Sequence, residues 1–248
     1  MALFRDGHAA SVVDLAAFDS SVVKAAEAEG ISLENKLVLA WTDIEWEITA
    51  MLSRRTGTVE HIERDLCKVV VTPLVKKWHV VLTLAHFYAD AYGIELNSRY
   101  LKRHAELTRL ARETSQQIRD LGLGMVEHPV PKAKTPNITA TAGVSMVGPL
   151  FIRVAWRNAR GQRGAPSDTV VFHANGSLIP VVGISNYPAE CVGFDVYAGQ
   201  AENDIKRQTA APLRVDEVWT LPSWGLVDGD APSNGQTPEY FVRPGRVF

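Results

Sequence analysis

His128-Pro129-Val130-Pro131-Lys132-Ala133-Lys134-Thr135-Pro136-Asn137 is the stretch that decides the fold, because the chain changes its period on either side of it. Its prolines remove backbone donors and fix φ, so no helix runs through it. Residues 125–137 therefore read as a short, extended linker.

Upstream, apolar residues recur at helical spacing. Asp14 to Glu29 is alanine-rich and ends at Gly30, a natural C-cap. Ser32 can cap the next helix, which lines up Leu33, Leu37, Ala40, Trp41, Ile44, Ile48, Met51 and Leu52. Its far side carries Lys36, Asp43, Glu47 and Arg54, and Arg55-Thr56-Gly57-Thr58 breaks it. Thr72 followed by Pro73 starts a third helix that runs to about Tyr92 and closes at Gly93. That helix is apolar nearly all round, apart from a thin stripe of Lys76, His79, Thr83, His86 and Asp90. Such a helix needs cover on most sides, from its own domain or from other subunits. A fourth helix starts at Asn97 or Ser98 and stops at Gly122. Residues 1–124 thus predict a bundle of about four helices.

Downstream the period is two. Phe151, Arg153, Ala155 and Arg157 alternate with Ile152, Val154 and Trp156. Further short runs follow at Thr169–Phe172, Leu178–Ile184, Gly193–Tyr197, Lys206–Gln208 and Glu217–Leu221, separated by Gly, Pro and Asn. Residues 138–226 predict a β-sandwich. Residues 227–248 read as an extended tail ending in aromatic residues. The fold class predicted is α+β and multidomain.

The 248 residues suffice for two cores, and the net charge is −2. Residues 1–124 hold 15 basic and 17 acidic side chains, and residues 125–248 hold 11 of each. A nucleic-acid coating protein usually carries a basic excess, which is missing here. Cys67 and Cys191 lie far apart, with no Cys/His cluster for zinc, and suit a reducing compartment. The N-terminus lacks the apolar core of a signal peptide, and no run of 18 apolar residues occurs, so no membrane partner is expected.

The chemistry-bearing motifs are mostly absent. Gly143-Val144-Ser145-Met146-Val147-Gly148 has the wrong spacing for a serine elbow, and neither phosphate-binding glycine motif occurs. His79, His86 and Asp90 share a face, but histidines two turns apart stand about 10 Å from each other, too far for one ion. Asp43, Glu45 and Glu47 read as a solvated face. Lys102, Arg109, Arg112 and Arg119 form a basic stripe on the fourth helix. It could face a channel or partner, or it could be ordinary i,i+4 pairing of Lys102 with Glu106 and Arg109 with Glu113. No catalytic, cofactor or metal residue is assigned.

Two resemblances follow from particular strings. Ile152-Arg153-Val154-Ala155-Trp156-Arg157-Asn158-Ala159-Arg160-Gly161-Gln162-Arg163-Gly164-Ala165-Pro166-Ser167 resembles the closing hairpin of fibronectin type III domains, and Gly193-Phe194-Asp195-Val196-Tyr197 resembles their Gly-Tyr-x-Val-Tyr strand. Here the hairpin string comes first, the reverse of the usual order. Residues 1–124, with Asp43-Ile44-Glu45-Trp46-Glu47-Ile48 and Ala85-His86-Phe87-Tyr88-Ala89-Asp90-Ala91-Tyr92, resemble the helical head–tail connectors of tailed bacteriophages.

The second resemblance implies a non-enzymatic virion protein of the neck. It implies a ring of identical copies, commonly twelve, between portal and tail or stopper proteins, with DNA passing through unread. Lys102, Arg109, Arg112 and Arg119 would then face the channel or portal. Tyr240, Phe241, Val242 and Phe248 would dock the tail segment on a partner or fold back on their own domain. The alternative expectation is an accessory virion protein that binds carbohydrate or a host surface, with Trp219 and Trp224 as its platform.

Overall fold

The protein, in a computed structural model that describes residues 2–56, 59–144 and 146–243 (side chains of 54–56, 59–61 and 95 excepted), is α+β. It divides into two units. One comprises Phe4–Glu127 and the chain from Pro238 onward; the other comprises His128–Thr237 and the first residues up to Leu3.

The helical unit contains, among the described residues, α1 (Val12–Phe18), α2 (Val22–Glu29), α3 (Leu33–Thr56), α4 (Val59–Leu66), α5 (Pro73–Glu95) and α6 (Ser98–Leu121). The expected helix over Asp14–Glu29 is two helices. Asp19 breaks it: its Oδ1 accepts from the amide and hydroxyl of Ser21, a local turn that competes with helix. Gly30 caps α2 in the left-handed region, as the sequence suggests. Thr72 accepts from the Val75 amide at the start of α5, and Asn97 accepts from the Arg99 amide at the start of α6. Gly93 does not close α5; the helix continues to Glu95 and Leu96 takes the left-handed cap. The break read at Gly57-Thr58 lies outside the described residues, as does the Arg54 side chain.

The apolar circumference of α5 is covered within its own unit. Val75, Trp78, Val81, Leu84, Phe87 and Ala91 are all buried, packed by α3 and α6 with help from α1 and α2. Of the two sources of cover expected for this helix, its own domain supplies the packing of these residues. Exposed apolar side chains of this unit include Ile94 near the end of α5 and a strip on α3, where Val38, Thr42 and Trp46 stand one turn apart with Leu39 beside them.

The unit ends in a two-stranded antiparallel sheet. Leu123–Met125 (β1) pairs with Tyr240–Val242 (β10), with Leu123 opposite Val242 and Met125 opposite Tyr240. A Cβ on Gly124 would lie 2.7 Å from the Pro238 ring, so glycine is what lets the returning chain approach.

The other unit is all antiparallel β. One sheet orders Asn137–Ala142 (β2), Leu178–Gly183 (β5) and Trp219–Thr220 (β9) as β2-β5-β9. The second orders Val170–Asn175 (β4), Val147–Asn158 (β3), Cys191–Gly199 (β6) and Lys206–Arg207 (β7) as β4-β3-β6-β7, with Leu213–Arg214 (β8) also on β6. Period-two alternation sends Leu150, Ile152, Val154 and Trp156 of β3 into an apolar core with Phe194 and Val196 of β6 and Val182 and Trp219 from the other sheet. The turn at Asn175-Gly176 moves the chain between the sheets, the Asn175 side-chain Oδ1 accepting from the Ser177 and Leu178 amides. Residues 129–136 carry no regular structure, yet Val130 and Ala133 are buried in this core, and the Ala133 amide donates to the Ala165 carbonyl.

Candidate functional site

Two concavities open on the helical unit. The first is a groove of about 630 Å³ between α3, α5 and α6. Its apolar wall includes Trp46, Trp78 and Leu82, and its polar wall includes His86, Arg112 and Arg119. Here the side of α3 read as solvated stays partly exposed and also meets its neighbours. Lys36 pairs with Asp90, the Asp43 carboxylate lies 2.8 Å from His86 Nε2, and Glu47 pairs with Arg119. The imidazole–carboxylate couple is the nearest approach to acid–base machinery. Among the described residues no hydroxyl or thiol is hydrogen-bonded to His86.

The second cavity, about 810 Å³, lies between the start of α2, α5 and the first turns of α6. Asp19 is part of its lining. Its Oδ2 accepts from the Tyr88 hydroxyl at 2.8 Å and from Arg103 at 3.3 Å. Burial pushes the Asp19 carboxyl up, but hydrogen bonds from Ser21 and Tyr88 outweigh it and hold the group below the usual carboxylate range. The Tyr88 phenol is pushed up, by burial first and by Asp19 second. Arg103 also pairs with Glu106, so this charge is committed twice.

The basic stripe does not act as one surface. Lys102 lines the second cavity, Arg112 and Arg119 line the groove, and Arg109 pairs on the outside with Glu113. The expected Lys102–Glu106 pair does not form, because Glu106 takes Arg103 instead. Arg119 is neutralised across the groove by Glu47, which no i,i+4 rule on α6 could have indicated.

His79, His86 and Asp90 are likewise separated in role. His79 is fully buried and bonded to backbone, His86 faces Asp43, and Asp90 faces Lys36. No group of three or more metal-ligating side chains occurs among the described residues. Both cysteines are free thiols; Cys67 is exposed, and burial pushes the Cys191 thiol up. Of the aromatic tail, Tyr240 and Phe241 are exposed on β10, Val242 is buried in the helical core, and Phe248 lies outside the described residues. Trp219 is buried in the β core, whereas Trp224 is 78% exposed.

One cluster escaped the sequence reading. Asp195, wholly buried on β6, holds Arg157 at 2.8 Å and Arg163 at 3.0 Å on one carboxylate oxygen. Arg163 lies 6.0 Å from the centre of the Tyr197 ring. The signal was the charged residue in the middle of Gly193–Tyr197, opposite Ala155 and next to Arg157 on the same face of β3. A buried pair of this kind ties strand β6 to the turn after β3.

No helix among the described residues is long and apolar enough to cross a membrane. Comparison of the chain with protein-family models finds no match, and comparison with curated proteins finds none.

Proposed function

We propose that the chain is a non-enzymatic structural protein of a tailed-phage virion, a head–tail adaptor whose helical unit closes with identical copies into a ring between portal and tail. In this reading α3, α5 and α6, with the short helices, form the connector's four-helix-type bundle. The β unit is a fibronectin-like sandwich that braces or decorates the neck. The two sheets meeting in one apolar core support that assignment.

The observation that carries the assembly role is the outward strip of α3. Val38, Leu39 and Trp46 are exposed, with Trp46 at 70%, and the uncharged Thr42 lies between them. Large apolar side chains aligned along one helix face mark a surface that gains by being covered. A subunit of a ring has two such neighbours.

Negative-stain microscopy and sedimentation of the full chain, alone and with portal protein, test the reading. Rings are expected, and Trp46→Glu is expected to leave subunits that sediment singly while keeping the helical circular dichroism. Wild-type protein that stays monomeric and never joins a portal–tail complex overturns it.

A second reading, attachment to a carbohydrate or host surface, is favoured by Trp224 alone. An indole that is 78% exposed offers the flat apolar face that sugars stack on. Glycan binding by the full chain that disappears in Trp224→Ala would select this reading.

A further inference from the structure

We propose that the cavity of about 810 Å³ between α2, α5 and α6 binds a phosphate-bearing anion through Lys24, Arg99 and Lys102. The inference does not rest on ring assembly and concerns a different surface from the α3 strip.

Three features of the cavity converge. The first is uncommitted charge. Lys24, Arg99 and Lys102 all line the cavity, all are exposed, and none has an ion-pair partner among the described residues. Elsewhere on these helices cations are usually paired, as Arg109 is with Glu113 and Arg119 with Glu47.

The second feature is that the acidic groups present are already occupied. Asp19 receives the Ser21 amide and hydroxyl on one oxygen and Tyr88 and Arg103 on the other. Glu106 is held by Arg103 at 2.9 Å. Lys24, Arg99, Lys102 and Arg103 outnumber the carboxylates Asp19 and Glu106 in the lining, which is therefore positive, in a chain whose overall charge is −2. A positive concavity in a chain of opposite net charge is a local arrangement and does not follow from the bulk composition.

The third feature is the donor set. One guanidinium and two ammonium groups approach from two elements, α2 and the first turns of α6, and the Ser21 and Ser98 residues stand beside them. Arg99 and Lys102 also sit where the dipole of the long helix α6 adds positive potential of the same sign. Guanidinium forks and ammonium point charges are the side-chain chemistry of phosphate recognition, and three of them favour a multiply charged anion over a single carboxylate. The volume falls in the range of about 300–1,000 Å³ typical of small-molecule sites. The phosphate therefore belongs to something larger than one inorganic ion, either a small polyphosphate or the backbone of a nucleic acid.

Calorimetric titration of the full chain with inorganic tripolyphosphate and with a short DNA duplex separates these sources. Two variants of equal charge change are compared: the cavity variant Lys24→Gln/Arg99→Gln/Lys102→Gln, and a surface variant Lys77→Gln/Lys134→Gln/Arg160→Gln. All six side chains are exposed, so both variants should fold, which circular dichroism checks.

Saturable binding of tripolyphosphate is expected, weakened about tenfold or more in the cavity variant and unchanged in the surface variant. Binding of the duplex with the same loss identifies a nucleic-acid backbone as the source. Its affinity should then fall about 40-fold between about 50 and 200 mM salt, as three phosphate contacts require. Binding of tripolyphosphate alone identifies a small anion. Failure of both probes to saturate, or equal losses in the two variants, overturns the proposal.

Discussion

His79 shows how far a single side chain can depart from its sequence reading. On the apolar helix α5 it reads as part of the thin polar stripe with Lys76, Thr83, His86 and Asp90. In the structure it is fully buried, its Nδ1 accepting the Ala10 amide at 3.1 Å and its Nε2–H donating to the Leu37 carbonyl at 2.9 Å. The neutral imidazole satisfies both bonds, and a second proton would cost the first of them. Burial pushes the pKa down to about 4; the Leu37 bond and the charge of Asp14 oppose it, while nearby His8 adds to it. The partners are backbone groups 69 and 42 residues away, so no spacing rule could expose them.

The sign of the pH effect follows directly. The unfolded chain takes up the proton near 6.5, before the folded one does, so the stabilisation is complete above that pH and is lost as pH falls toward 4. Between pH 7 and pH 5 the His79 contribution to unfolding free energy should fall by about 2 kcal/mol. Urea denaturation of wild type and His79→Gln at both pH values isolates it: the gap between the two proteins should narrow by that amount at pH 5. A gap that stays constant would mean that His79 is not held neutral.

At the scale of elements, helix beginnings were legible because they are local chemistry. Thr72-Pro73 and Asn97 each place an acceptor or a donorless residue where the first turn needs it, and they start α5 and α6 as read. Helix interruptions were less legible. Asp19 in an alanine-rich stretch looks compatible with helix until its side chain is seen bonded to Ser21 and Tyr88. Gly93 looks like a terminator, but it lies inside α5 without a positive φ, and a Cβ there meets nothing within 4 Å.

The two readings of Gly93 predict opposite outcomes. An interior, exposed helical glycine should be improved by alanine by about 0.5–1 kcal/mol, because the unfolded chain loses freedom and the folded chain meets no clash. Gly93→Ala should therefore raise the melting temperature followed by helical circular dichroism. A left-handed cap at this position would be damaged by the same change, and the melting temperature would fall.

At the scale of the molecule, the boundary drawn at residue 124 divides a structural unit. The change of period around Pro129 and Pro131 is real, and it separates helical from β chain. What no local pattern reports is the return of the chain after Pro238, more than a hundred residues later, to complete the helical unit. A Gly- and Pro-rich end reads as a tail, because the period of a three-residue strand is too short to register.

The return is specified by several contacts. Glu239 donates its amide to Met125, the Glu127 amide donates to the Glu239 carboxylate, and Val242 is 8% exposed within the helical core. On its other side the β1 segment is fastened by the Val70 amide to Gly124 and the Val126 amide to Lys68. Truncation after Thr237 removes one member of this arrangement and uncovers apolar surface beneath Val242. One valine's burial together with a few backbone hydrogen bonds amounts to about 3 kcal/mol.

The truncated chain should therefore show an earlier loss of helical signal on heating or in urea than the full chain. A fragment ending at residue 124 should be less stable still, since it also cuts β1. An unchanged helical transition in the chain truncated after Thr237 would place the C-terminal strand outside the helical unit and return it to the role of a free arm. The same dependence bears on the proposed ring, which is to be sought with the full chain, because only there does the helical unit keep the strand that closes it.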